Sequence, residues 1–215
     1  NVVLGVIAGG ERALTHPGEN AEDNAEAGVR DIAGLEVSAV DSVVGIAASG
    51  QTPYTISGMA EARRRGALVI NVACNHPPAR GEGPEHTATP GPGREGPKAS
   101  TRLKAGTAQK MVLNMLSTGT MVRLGKTYSN LMVDVQPHNV KLKVRARRIV
   151  EQACGLGPEA AAALLEACGG EVKVAIVSHL GNLSPDAARS RLAQAGGFVR
   201  QALQDGTSQA RRGVA

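Results

Sequence analysis

Apolar residues follow two rhythms along the chain. The first is a set of short unbroken runs: Val2–Ala8, closed by Gly9-Gly10, then Ser42–Ala48, then Leu68–Ala73. Runs of this length, bounded by glycine or turn residues, predict strands buried on both faces. The second rhythm lies between them and has helical spacing. Ala21–Leu35 predicts a helix with Asn20 as its N-cap and Glu22 and Asp23 in its first turn. Pro53–Arg65 predicts another, closed by Gly66 at its C-terminal end. Strands alternating with helices imply a parallel sheet with right-handed crossovers, hence an α/β layered domain.

The alternation breaks between His76 and Lys98, which holds six of the chain's eleven prolines. This composition predicts a flexible loop over the sheet edge, with His86–Thr89 as its one weak strand candidate. Ser100 then opens a long helix to about Leu124, with Leu103, Thr107, Met111 and Met115 at helical spacing beside Val112 and Leu116. That stripe reads as a core-facing side, with the methionines as filler. A short segment, Asn130–Val135, leads to Pro137. From about 138 to 204 the pattern is wholly helical, broken at Gly155–Pro158, Gly169-Gly170 and Asn182–Pro185, as in a small bundle. Residues 205–215 lack periodicity and read as a mobile tail. The expected organisation is an α/β part over 1–136, a helical part over 137–204 and the tail.

Composition changes this picture in three places. Aromatics are confined to Tyr54, Tyr128 and Phe198, too few to build a stacking platform for nucleic-acid bases. The net charge of +5 comes from scattered residues apart from Arg63–Arg65 and Arg145–Arg148, which read as solvated helix faces. No nucleic-acid partner is therefore expected, and the mild positive balance suits a small anionic substrate. Cys74, Cys154 and Cys168 have no CxxC spacing and no nearby histidine pair, so they predict reduced thiols in a cytoplasmic protein and neither a disulfide nor a metal site. No apolar stretch approaches the roughly 18 residues of a membrane span, so no membrane partner is expected.

The chemistry concentrates at the ends of the predicted strands. Ala47-Ala48-Ser49-Gly50-Gln51-Thr52-Pro53 joins a buried strand to a helix. Free backbone N–H groups and the helix dipole favour an anion there. Gly50 permits close approach, Ser49 and Thr52 supply hydroxyls, and Pro53 fits the first helical position. This is a phosphate cradle without a lysine, unlike a nucleotide-triphosphate loop, although a simple capped helix accounts for the same residues. Glu22 follows the first predicted strand on the side where α/β sheets bind ligands, and a carboxylate there can transfer protons or merely complement a helix dipole. Ser100 and Lys104, at the start of the long helix, either close the anion site or belong to an ordinary helix start. His138 and His179 have no partners at metal spacing.

These motifs resemble the N-acetylmuramic acid 6-phosphate etherase family of the sugar isomerase (SIS) superfamily. The resemblance rests on Gly5–Glu11, Glu22-Asp23, Val43–Tyr54, Ser100–Lys110 and Asn130–Val135, and runs to about Leu203. It implies a SIS-type domain followed by a ubiquitin-associated-like bundle, in a cytoplasmic homodimer that needs no metal or cofactor. The implied reaction cleaves the lactyl ether of N-acetylmuramate 6-phosphate during cell-wall recycling. The implied sites are Glu22 for proton transfer and Ser49, Gly50, Thr52, Ser100 and Lys104 for the substrate. The family also carries an upstream phosphate loop and a second glutamate with no counterpart here, so the chain is expected to be an N-terminally incomplete member. A non-catalytic sugar-phosphate sensor or an inactive remnant is the alternative. Between His76 and Lys98, where the family has a helix and an apolar strand, this chain is polar and proline-rich.

Overall fold

The computed structural model describes residues 3–75, 86–91 and 100–204. They divide into two compact units, Asn1–Met115 and Leu116–Ala215.

The first unit contains a parallel three-stranded sheet, β1 (Ser42–Ile46), β2 (Leu68–Val72) and β3 (His86–Ala88), in that spatial order. Ser42 pairs with Leu68 and Ile46 with Val72, while Ile70–Val72 pairs with His86–Ala88. Helix α2 (Pro53–Arg64) connects β1 to β2 and lies on both strands, and α1 (Ala25–Gly34) packs on α2. Their small core joins Ile32, Met59, Ala62, Ala67 and Val69. Glycines allow the close packing. A Cβ on Gly28 of α1 would lie 2.2 Å from the carbonyl oxygen of Tyr54, and one on Gly45 of β1 would lie 2.3 Å from the Met59 sulfur.

Several expectations need correction here. Val3–Ala8 forms no strand, and Val3, Leu4, Val6 and Ile7 are exposed. An apolar run becomes a strand only against a ladder partner, and this one has none among the described residues. The helix expected over Ala21–Leu35 is split into a 3-10 turn at Ala21–Asp23 and α1. Asn20 adopts a left-handed conformation without capping, whereas the Asn24 side chain accepts from the Ala27 N–H at 2.9 Å and so sets the true N-terminus. The weak candidate at His86–Thr89 does form β3, because a parallel ladder is made of backbone bonds that tolerate polar side chains. The rest of the expected loop, 76–85 and 92–99, and the tail 205–215 lie outside the described residues.

Helix α3 (Lys104–Arg123) begins four residues later than its sequence pattern suggested. Of its residues only Ala105 is buried, and Met111 and Met115 are 53% and 63% exposed, so the expected core-filling role of the methionines is not realised in this chain.

The second unit has its own core. A hairpin of β4 (Thr127–Tyr128) and β5 (Leu131–Met132) leads to α4 (Val140–Cys154), α5 (Pro158–Ala167), α6 (Val172–Leu180) and α7 (Pro185–Gln194), then a helical segment over 199–204. Val133 and Val135 join the helices in one apolar cluster around α6, in which Val172 and Val174–Val177 are all buried. Asn139 caps α4 and Ser184 caps α7, and Gly155 ends α4 in the left-handed conformation that glycine adopts without strain. Asp134, part of the Asn130–Val135 motif, pairs with Lys126 and Lys173. Burial pushes its carboxyl up, but the two lysines outweigh this and hold it below its usual range. This motif residue therefore has a structural role.

Candidate active site

The loop after β1 lies at the C-terminal end of the sheet. Its base is fixed by the Ala47 N–H donating to the Val72 carbonyl (3.1 Å) and the Cys74 N–H to the Ala48 carbonyl (3.0 Å). The Gly50 N–H turns back to the Ala47 carbonyl, and the Gln51 N–H donates to the Ser49 hydroxyl oxygen at 3.1 Å. Gly50 has φ +71°, and a Cβ there would meet the Ala73 methyl at 3.0 Å, so the turn is both left-handed and tight against β2. Thr52 occupies the N-cap of α2, yet its side chain caps no N–H. The helix thus starts with Pro53, which needs no donor, and with a hydroxyl that the fold has not used. Ser49 is exposed, and Gly50 and Thr52 are half-buried, so the loop is accessible to a ligand.

The start of α3 lies at the same end of β2. The Cys74 thiol points to the Ala105 carbonyl at 3.9 Å, and Cys74 is itself tied to Ala48. The structure therefore brings the Ser49–Thr52 loop and the first turn of α3, with Lys104, to one strand end. Ser100 is half-buried just ahead of that turn, and Lys104 is exposed. Glu22 sits on the 3-10 turn Ala21–Asp23, which packs against α2. Its side chain is exposed and makes no hydrogen bond or ion pair to Ser49, Thr52 or Lys104. Among the described residues, no group of His, Cys, Asp and Glu could hold a metal ion.

Sequence reasoning missed two features of this site. The first is a brace between α1 and α2. The Tyr54 hydroxyl donates to Asp31 at 2.5 Å, and the Ser57 hydroxyl donates to the Ala25 carbonyl at 2.6 Å. Burial, followed by the Asp31 hydrogen bond and charge, pushes the Tyr54 phenol up to about 12. The brace joins the helix that follows Glu22 to the helix that follows Ser49–Thr52. The second is Asn71, in the middle of β2. It is 2% exposed, and its Oδ1 has no hydrogen-bond partner. It pairs in register with Gly45, which carries no side chain, and its Nδ2 lies 4.0 Å from the position a Cβ on Gly50 would take. The signal was present as a lone amide inside the apolar run Leu68–Ala73.

A parallel sheet whose strand-end loop presents hydroxyls and a helix N-terminus defines an α/β domain with an anion-binding strand end. Residues 1–63 match the family model of the glucokinase regulatory protein N-terminal SIS domain. The chain is 56% identical over 178 residues to N-acetylmuramic acid 6-phosphate etherase of Rubrobacter xylanophilus, covering 83% of this chain and 59% of that relative. It is 49% identical over 203 residues to the etherase of an Exiguobacterium species, covering 94% of this chain and 69% of the relative. With the etherase of Escherichia coli O1:K1 / APEC it shares 50% identity over 203 residues, 94% of this chain and 68% of the relative. The chain belongs to the N-acetylmuramic acid 6-phosphate etherase family, and it spans between 59% and 69% of the length of these relatives.

Proposed function

We propose that the chain is a carbon–oxygen lyase that cleaves the D-lactyl ether of N-acetylmuramic acid 6-phosphate, giving N-acetylglucosamine 6-phosphate and D-lactate in amino-sugar recycling. The observation that carries the reading is the Ala47–Pro53 loop, open at a strand end with the Thr52 hydroxyl unspent, in a chain about half identical to proteins of that name. Ser49 and Thr52 hold the 6-phosphate through backbone N–H groups and hydroxyls at the positive end of α2, and Gly50, whose own N–H is bound to Ala47, lets the loop approach the anion closely. Lys104, with Ser100, closes the anion from the α3 side.

Glu22 is assigned to proton transfer. In the open-chain sugar the aldehyde acidifies the proton on carbon 2. The Glu22 carboxylate takes that proton, the electron pair forms the carbon 2–carbon 3 double bond, and the lactate oxygen leaves carbon 3 with a proton from a second acid. Water then adds to the unsaturated aldehyde at carbon 3 and restores the sugar. The two proton-transfer groups need different environments so that one is charged when the other is not. An exposed carboxylate on the 3-10 turn suits the base.

The assay is D-lactate release from N-acetylmuramate 6-phosphate. Glu22→Gln is expected to stop release while N-acetylglucosamine 6-phosphate still binds; turnover at the unmodified rate would overturn the assignment. Binding of the sugar phosphate without any lactate release by the unmodified chain would instead support a sugar-phosphate sensor.

We also propose a homodimer in the cytoplasm. Met111 and Met115 along α3, and Leu103 just ahead of it, are large apolar residues left exposed, and a second copy is the partner that would cover them. The three cysteines are free thiols, which suits a reducing compartment. Among the described residues no helix is long and apolar enough to cross a membrane.

A further inference from the structure

Asn71 is placed where an apolar residue would satisfy the fold better. It lies in the central strand, 2% exposed, between Val69 and the Ala73 methyl, with one face of its amide unpartnered. Buried amide oxygens are normally hydrogen-bonded, and leaving one orphaned destabilises the free protein. In parallel strands, paired residues project to the same face, so Asn71 shares with Gly45 the side covered by α2. The missing side chain of Gly45 leaves room beside it, and Gly50 lies just above it, at the N-terminal end of α2.

Two hydroxyls on the loop residues either side of Gly50, where a Cβ would lie 4.0 Å from Asn71 Nδ2, have donor capacity to spare. Thr52 caps no N–H of α2, and Ser49 accepts from Gln51 without an assigned acceptor for its own proton. We propose that Asn71 is a positioning residue of the sugar-phosphate site. When the loop wraps a phosphate, the anion is held by the backbone N–H groups and one hydroxyl, the other hydroxyl turns its single proton to Asn71 Oδ1, and the bond missing in the free protein locks the loop in its ligand-bound form. At 2% exposure the amide has no surface to offer the substrate directly, so it acts through the loop. The inference rests on the loop being the anion site, as proposed above, and adds the residue that stores the free-state defect.

The test pairs affinity with stability in the unmodified chain, Asn71→Leu and Asn71→Thr. Calorimetry measures N-acetylglucosamine 6-phosphate affinity, thermal unfolding gives Tm, and lactate release separates KM from kcat. Asn71→Leu, close in shape and apolar, is expected to keep or raise Tm while binding the sugar phosphate about tenfold more weakly, roughly the loss of one hydrogen bond in the bound state. The loss should fall on KM with kcat little changed. Asn71→Thr, which keeps an acceptor in a β-branched side chain, should recover part of the affinity. Affinity retained by Asn71→Leu overturns the inference, as does a lowered Tm, or failure of both variants to fold, since each of these marks a purely structural asparagine. No binding by the unmodified chain overturns the reading of the loop itself, an outcome distinct from the other three.

Discussion

At the scale of single residues, the α/β unit is held by polar contacts whose pH dependence can be worked out. Tyr54 has its phenol raised from 10.0 to about 12, chiefly by burial and then by Asp31. A raised folded-state value means the stabilisation is complete below about pH 10 and is lost as pH rises towards 12. Tyr54→Phe should cost about 1–2 kcal/mol at neutral pH through the lost hydrogen bond, and it should flatten the alkaline decline; an unchanged alkaline limb in a pH series of urea melts would refute the brace. Glu61 works in the opposite direction. Hydrogen bonds from Arg64, at 2.8 and 2.7 Å, and from Arg65, at 2.6 Å, hold its carboxyl down to about 2. Its contribution is present above about pH 4.5 and is lost as pH falls towards 2, so Glu61→Gln should lower stability at pH 7 and remove part of the acid dependence. Equal acid limbs in variant and parent would count against it. The same contacts explain two of the three arginines of the Arg63–Arg65 cluster as ion-pair partners on a helix face. Sequence reading took the cluster as a solvated helix face without foreseeing the Glu61 pairs, and it had no route to Tyr54–Asp31, a pair 23 residues apart that only the α1–α2 packing brings together.

At the scale of elements, what could be read from the sequence depended on whether the signal was local. Strands β1 and β2, helix α2 and the glycine at its end were readable because apolar runs, Pro53 and Gly66 act within a few residues. The N-terminus of α1 was misplaced by four residues because Asn20 and Asn24 are chemically identical caps, and only backbone conformation distinguishes them. The loop residues Ser49, Gly50 and Thr52 were readable as a strand-end turn, whereas Asn71 drew no attention inside its apolar run. Periodicity failed most clearly at α3, since an apolar stripe specifies that something covers it without saying what. If a second copy covers Leu103, Met111 and Met115, then Met111→Glu should shift the chain from dimer to monomer in sedimentation, since a charge cannot be buried there unpaired. A monomer before substitution would remove the basis for that reading. The thiols offer no competing chemistry in the bundle: burial, with Cys168 nearby, pushes Cys154 up to about 11, and burial also raises Cys168, so both stay protonated near neutrality.

At the scale of the whole molecule, the described residues form two apolar clusters with no residue in common. One is a small set around Met59, Ala62 and Val69 between the sheet and its helices, and the other is a larger set around α6. The larger cluster should dominate stability, because buried apolar area is the main favourable term and the α/β unit leaves Val3, Leu4, Val6 and Ile7 exposed. The candidate site, however, belongs entirely to the unit with the smaller core. A ligand that binds only that unit raises only its stability, by about 2.7 kcal/mol at a hundred times its Kd. Calorimetric unfolding should therefore resolve two transitions, and N-acetylglucosamine 6-phosphate should raise only the lower one. Ile176→Ala, which opens a cavity at a fully buried position of α6, should lower the upper transition by about 2–5 kcal/mol and leave the ligand-induced shift of the lower one intact. A single transition displaced by both the ligand and the substitution would mean that the units unfold together, and the stability of the site would then depend on the bundle core. Two transitions responding separately would mean that loop variants at Ser49, Thr52 and Asn71 can be ranked on the lower transition alone, without correction for the bundle.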